Sequence, residues 1–312
     1  MVHIMYNNPS GAINHLLKRL DEDKGCSLVY SPTGMPFNIG NIYDIDDKSR
    51  RKKTVSIVIC TYGRPESLSA TLTSLSFQTF TDFEILLITE KGNLAELRHK
   101  GLEHSVGNIV SLIDDDVYCE PNWLESVTQA FKKDERIVGV TGPTTITGEY
   151  RNNRDLFRYK LFKRFYDFLF LGKLRNIPSR LSGCGAPSTT SNDYEVMYEG
   201  DCDFLEACNM SVKRKEALDV GGFEKSYYRT SEWCEVDLAL KLARRGRLYF
   251  SKSAKLFHRP SRAGIYKERN STAHRFHNFM FFQRRWVKSS FQTSLYRSFI
   301  WCYMKMKDMR MI

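Results

Sequence analysis

The stretch Ile109-Val110-Ser111-Leu112-Ile113-Asp114-Asp115-Asp116-Val117-Tyr118-Cys119-Glu120-Pro121 decides how the chain is read. An apolar run of strand character stops at three consecutive acids, and a helical pattern opened by Pro121 follows. Three adjacent carboxylates repel one another, so something in the fold must balance them. If the backbone stays extended, Asp114 and Asp116 project to one side and Asp115 to the other. Two carboxylates on one side at a strand's C-terminal end suit a hard divalent cation, Mg²⁺ or Mn²⁺, with positions left for phosphate oxygens. An isolated triplet is as well explained by a solvated acidic turn. The residues around it favour the cation.

Outward from the triplet, strand and helix patterns alternate. Val55–Cys60 is a continuous apolar strand of the kind buried on both faces of a parallel sheet. A turn at Gly63-Arg64-Pro65-Glu66 leads into a helix over 67–77. A strand over 84–88, a helix over 94–102, the strand over 108–113, a helix over 121–132 and a strand over 137–141 follow. This order predicts an α/β fold with right-handed crossovers, whose ligands bind beyond the carboxyl ends of the strands. That edge collects Thr61, Tyr62, Glu90 and Asp114–Asp116. Residues 143–203 break the rhythm as an insert. The pattern resumes with a strand over 204–212, a short helix ended by Gly221-Gly222, a helix over 235–245 and a strand over 247–250. Residues 1–53, rich in turn residues, read as an N-terminal extension ending in a charged linker.

With 42% apolar residues, the 312-residue chain can bury one large core. Its eight cysteines form no CxxC pair, and several lie inside apolar runs, as expected of reduced, buried thiols in a cytoplasmic protein. Residues 1–53 lack the apolar run of a secretory leader. No stretch reaches the ~18 uninterrupted apolar residues of a membrane span. The net charge of +11 is concentrated in two aromatic-rich segments, 151–180 and 258–312, and the rest of the chain is net acidic.

The series of motifs resembles the family-2 glycosyltransferases of the GT-A fold, which transfer sugars from nucleotide-diphosphate donors. It comprises Val55 through Pro65, Gln78-Thr79-Phe80-Thr81-Asp82-Phe83-Glu84-Ile85, Leu97-Arg98-His99-Lys100-Gly101, Asp114-Asp115-Asp116 with Pro121 five residues on, Gly221-Gly222-Phe223, Glu235 through Gly246, and His258. Together these span about residues 54–260. The resemblance implies a Rossmann-like, mostly parallel central sheet flanked by helices, with residues 261–312 as a basic helical tail. It implies a donor site of Thr61, Tyr62, Arg64, Glu90, Arg98, Asp114 and Asp115, with Asp114 on the ribose. Asp116 and His258 would hold Mn²⁺ or Mg²⁺. The donor would be a nucleotide-diphospho-sugar, a UDP-sugar ahead of a GDP-sugar. The run Thr89-Glu90-Lys91-Gly92 departs from the family's common paired aspartates.

The acid pair that the family places before this helix reads Cys234-Glu235 here. A carboxylate in a helix's first turn is kept ionised by the dipole, as a general base must be, and Glu235 fits that place. Glu232 competes with it, and Asp237 would hold acceptor hydroxyls or the helix start. The implied chemistry is inverting transfer to a hydroxyl of a glycan or a lipid-linked acceptor, in surface polysaccharide, glycolipid or protein-glycan assembly. Phe276, Phe279, Met280, Gln283 and Val287 share a helical stripe beside basic residues, and residues 158–170 have the same character. Such helices either lie on an anionic membrane surface or pack on the catalytic domain. A cytoplasmic protein is therefore expected, peripheral on the inner face of the cell membrane if it meets one. The rivals are a nucleotidyltransferase, a nucleic-acid-binding protein using the basic tail, and a catalytically inactive relative. A single Gly in Cys60-Thr61-Tyr62-Gly63-Arg64-Pro65 counts against a triphosphate cradle. Three aspartates at a strand end count against nucleic acid, which is not expected as a partner.

Overall fold

A computed structural model of the chain describes residues 11–22, 27–31, 41–147, 157–188, 196–260 and 272–308. Its first elements are helix α1 (Gly11–Glu22) and strands β1 (Leu28–Ser31) and β2 (Asn41–Asp44). Then come β3 (Val55–Cys60), α2 (Pro65–Leu75), β4 (Phe83–Ile88), α3 (Leu94–His104) and β5 (Ile109–Asp114). β6 (Val117–Cys119), α4 (Trp123–Lys133), β7 (Ile137–Thr141) and β8 (Thr144–Ile146) precede α5 (Phe157–Tyr166), which runs into a π-helical turn at Asp167–Leu171. The second half holds β9 (Gly200–Asp201), β10 (Met210–Lys213), α6 (Arg214–Asp219), α7 (Cys234–Leu242), β11 (Arg247–Phe250) and β12 (Leu256–His258). Two helices, α8 (Thr272–Trp286) and α9 (Phe291–Asp308), close the described chain.

Among the described residues the strands form a nine-stranded sheet, β2-β1-β4-β3-β5-β10-β7-β11-β9, and a three-stranded one, β6-β12-β8. β3 pairs in parallel with β4 and β5, and β11 in parallel with β7. β10 lies antiparallel between β5 and β7. The apolar runs of the central strands follow from helices covering both faces of the sheet. Val55, Ile57 and Ile59 enter one core, and Val58 enters the other. Ile85 and Leu87 likewise face one side, Leu86 and Ile88 the other. α3 lies flush on β3 because residue 101 is glycine: a Cβ there would fall 2.3 Å from a methyl of Val58. That close approach fixes Arg98, one turn earlier on α3.

The segment read as an extension continues the sheet. β1 pairs antiparallel with β4, Leu28 opposite Leu87, and β2 with β1. The charged run after β2 is equally built in. Arg50 reaches buried Glu84 at 3.2 Å and donates to the carbonyls of Ile45, Asp47 and His104. Ser56 and the Val106 amide complete the hydrogen bonding of Glu84. The strand expected over 204–212 is confined to Met210–Lys213. Phe204 and Leu205 are buried from a turn closed by the Asn209 amide on the Glu206 carbonyl. Pro121 sits two residues before α4 rather than at its first turn. The turns expected over 1–10 and 32–40, part of the insert, and residues 261–271 lie outside the described residues.

The tail folds back onto the sheet domain. The expected stripe of α8 faces the protein, with Phe279 and Gln283 fully buried, and Phe282, outside that stripe, is buried beside them. Gln283 donates to the Cys184 carbonyl at 3.1 Å. Asn278 accepts from the Tyr228 amide at 2.7 Å and donates to the Tyr228 carbonyl at 2.9 Å. Phe282 stacks on Trp233 with ring centroids 4.6 Å apart. α9 packs on α5 through the pairs Phe162–Phe299 and Phe162–Tyr303, at 4.9 and 4.8 Å. Among the described residues no helix is long and apolar enough to cross a membrane. Phe282→Ala should therefore destabilise the chain by about 3–5 kcal/mol, read as a lower midpoint in urea denaturation. An unchanged midpoint would mean that α8 is not part of the core.

Candidate active site

β5 ends on Asp114, and the chain turns at Asp115 and Asp116 instead of staying extended. The turn sends Asp115 inward, where it is fully buried. Thr61 Oγ1 donates to Asp115 Oδ2 at 2.6 Å, and Arg64 Nε to the same oxygen at 3.1 Å. A second guanidinium nitrogen of Arg64 pairs with Asp115 Oδ1, and the third donates to Asp116 Oδ2 at 3.0 Å. One cation thus spans two of the three acids. Burial still raises the Asp115 carboxyl to about 7, with Arg64 opposing the shift and Asp116 adding to it. Asp115 and Arg64, both expected on the donor, are committed to each other. The hydroxyl of Thr61 is committed with them.

The small sheet delivers His258. β12 pairs antiparallel with β6, His258 opposite Val117, and the Arg259 amide donates to the Asp116 carbonyl at 2.9 Å. This brings His258 Nε2 to 3.0 Å from Asp116 Oδ1 and 3.9 Å from Asp114 Oδ2. Cys208, on the turn before β10, joins them: its sulfur, an Asp114 oxygen and a His258 nitrogen lie within 4.8 Å of one another. Burial works against a charged imidazole, yet Cys208 and Asp116 beside it raise the pKa of His258 well above its ordinary value. Two carboxylates, an imidazole and a thiol in this volume fit a divalent cation, and the field that holds a proton on His258 would equally hold such an ion. Cys208 was not legible as a site residue, because nothing in Ala207-Cys208-Asn209 marks it until the fold brings it to His258.

Arg98 links the acidic edge to the start of α7. Its guanidinium donates to Asp114 Oδ1 at 3.2 Å and to Cys234 Sγ at 3.7 Å, and lies 3.9 Å from Glu235 Oε2. Arg98 is therefore oriented by side chains, with its guanidinium between Asp114 and Glu235. Glu90 accepts from Ser27 at 3.0 Å and pairs with Lys100, and chiefly the Lys100 hydrogen bond lowers its pKa. Tyr62, Glu90, Leu94, Leu97, Asp114, Asp116, Thr230 and His258 line one cleft, and Tyr62 is exposed there. Leu94, Leu97 and Thr230 were missed as lining residues; only the packing of α3 under residue 230 reveals them.

The approach to α7 separates its three acids. Arg229, Ser231 and Trp233 have φ of 52°, 51° and 78°, left-handed values unusual outside glycine. Contacts from two sides hold this backbone. Ser231 Oγ donates to Asn93 Oδ1 at 2.7 Å, and the Leu94 amide to the Arg229 carbonyl at 2.9 Å. α8 grips Tyr228 and stacks on Trp233 from the other side. Glu232 is drawn away to α8, accepting from Asn278 at 3.1 Å. Asp237 is fully buried and accepts from Trp286 Nε1 at 2.6 Å, with Arg285 Nε at 2.9 Å. Of the three, Glu235 alone turns toward Arg98. Burial raises its pKa and Arg98 opposes the shift.

The model of glycosyl transferase family 2 matches residues 87–186. A glucosyl-dolichyl phosphate glucuronosyltransferase of Haloferax volcanii is 30% identical over 207 residues, covering 57% of this chain and 58% of that protein. The chain thus matches little more than half the length of this relative. Residues 1–349 of TarS from S. aureus, solved with UDP-GlcNAc, superpose at a TM-score of 0.50 with 10% identity, over 80% of this chain and 71% of that one. The mannosyltransferase PcManGT of Pyrobaculum calidifontis, solved with GDP-Man and Mn²⁺, gives 0.46 at 14% identity, over 94% and 77%. The likeness to TarS is one of fold.

Arg64→Met should leave Asp115 and Asp116 without their shared cation and destabilise the chain by about 3–5 kcal/mol. Chemical denaturation at neutral pH measures this. A loss below ~1 kcal/mol, the range of an exposed pair, would refute the clamp.

Proposed function

We propose that the chain is a family-2 glycosyltransferase of the GT-A fold and transfers a sugar from a nucleotide-diphosphate donor to an acceptor hydroxyl, with inversion at the anomeric carbon. The observation that carries this reading is the cleft in which Asp114, Asp116 and His258 converge while Arg98 ties Asp114 to Glu235. A UDP-sugar is the favoured donor, and a GDP-sugar the second choice. Tyr62 offers an exposed ring face for the base and Glu90 an ionised acceptor beside it. A lipid-linked glycan is the acceptor class, a proposal supported by the glucosyl-dolichyl phosphate named for the Haloferax relative.

Asp116 and His258, with Asp114 and Cys208 beside them, would hold Mn²⁺ or Mg²⁺. Such an ion supplies charge neutralisation for a departing diphosphate. The chain's own residues do the rest. Glu235 takes the proton of the acceptor hydroxyl as its oxygen bonds to the anomeric carbon. The bond from that carbon to the phosphate oxygen breaks, and the electron pair leaves with the nucleoside diphosphate. Arg98 positions the Glu235 carboxylate and offsets its burial, which keeps it ionised as a base. Arg64, turned onto Asp115 and Asp116, holds the acidic turn in place.

Glu235→Gln should lower turnover by ~10²–10⁴-fold while donor affinity, read by calorimetry, stays near wild type. Wild-type turnover in that variant would remove Glu235 as the base. Asp116→Ala should abolish the Mn²⁺-dependent thermal stabilisation by UDP- or GDP-sugars. If no nucleotide sugar stabilises the wild-type chain with Mn²⁺ present, the donor reading fails. Because the Glu235 pKa is raised, its ionised form is lost as pH falls through a value above the ordinary 4.5. Turnover should therefore fall on the acid side within that higher window, and this limb should be missing from the residual rate of Glu235→Gln.

A further inference from the structure

We infer that the surface formed by the α5–π-turn segment and α9 docks this protein onto an anionic lipid leaflet. The two segments run antiparallel. Phe162 stacks on Tyr303 near one end, Phe170 packs on Tyr296 at 5.0 Å, and Gln292 Nε2 donates to the Leu169 carbonyl at 3.2 Å near the other. Their inner faces are satisfied by this aromatic packing. Beyond this packing Leu161, Phe165, Phe168, Phe291, Leu295 and Trp301 remain exposed, Phe168 to 76% and Phe291 to 85%, while Trp301 also meets Phe276 of α8 at 5.0 Å. The pairing sets Phe168 level with Phe291 and Leu295, although more than 120 residues separate them. Isolated exposed apolar residues are ordinary, but a cluster built by two segments marks an interaction surface.

Charge decides the occupant. Exposed Arg164 and Lys305 lie in these two segments, exposed Lys173 and Arg175 follow the π-turn, exposed Lys288 precedes α9, and Lys305 sits over the Trp301 ring at 4.7 Å. Residues 284–306 contain no acid, and Asp167 is paired with Lys163. Aromatic side chains amid cations, with acids excluded or neutralised, complement anionic headgroups over an acyl layer. A second copy of the chain would bring the same positive charge to the contact. Aromatic packing also links the patch to the start of α7. Tyr296 packs on Phe279 at 5.6 Å, and Phe279 on Trp233 at 5.7 Å, two residues before Glu235. The inference itself is independent of the donor reading, since docking requires no turnover.

The test is flotation of the full chain with vesicles of phosphatidylcholine alone or with phosphatidylglycerol added. The full chain is needed because α8 is part of the core. Wild type should float with the anionic vesicles, lose binding at high salt, and show little on phosphatidylcholine. Phe168→Ser with Phe291→Ser, at exposed positions, should lower partitioning by about tenfold or more. Arg164→Glu with Lys173→Glu should do the same through charge. Both pairs should retain the wild-type unfolding midpoint and the donor-induced thermal shift, so failure here is distinguishable from failure of the donor reading. Absence of wild-type flotation, or both pairs floating as wild type does, would overturn the inference. So would sedimentation showing that the serine pair instead dissolves a dimer of the chain.

Discussion

Everything at this cleft depends on neutralising three consecutive carboxylates at the rim of a buried sheet. Unpaired ions in that setting would cost several kcal/mol each. The fold answers with three cations from three places. Arg64 enters from the turn after β3, Arg98 from α3, and His258 from the end of β12. Each takes a different part of the triplet, and the partition sets the roles. Asp115 is sealed beneath the surface with Arg64 and Thr61, so its charge stiffens the turn. Asp114 and Asp116 keep oxygens on the cleft side.

A second constraint is the backbone that leads into α7. Three non-glycine residues in left-handed conformations cost of order 1–3 kcal/mol each. They persist because α3 holds the segment from below and α8 clamps it from the tail. The conformation turns Glu235 toward Arg98, gives Glu232 to Asn278 and buries Asp237 under Trp286 and Arg285. The last two contacts make the tail a structural support of α7. The apolar stripe of α8 is therefore spent inside the protein, and the apolar surface left for a partner comes from α5 and α9.

Much of the fold was legible from local pattern. The continuous apolar runs at Val55–Cys60 and Ile109–Ile113 could only be strands covered on both faces, and helices do cover them. The alternation of strands and helices between 54 and 141 set the crossovers, and the acids at the end of the third strand marked the ligand edge. Errors arose where burial overrode local signal. Residues 204–209 are apolar enough for a strand, but a turn buries Phe204 and Leu205 instead. The charged run before β3 looked like a linker because nothing local shows that Arg50 meets Glu84 beneath the sheet.

The sequence by itself therefore determined the sheet's central strands, the placement of Asp114–Asp116 at their carboxyl ends, and an acid-bearing helix following the insert. These follow from side-chain periodicity and from residue types close together in the chain. Tertiary structure alone decided that Arg64 clamps Asp115, that Cys208 stands beside His258, that Glu235 and not Glu232 turns toward Arg98, and that α8 lies inside. Those choices depend on partners 49 to 137 residues apart. Only the packing of helices and strands across both faces of the sheet brings such groups within hydrogen-bonding distance.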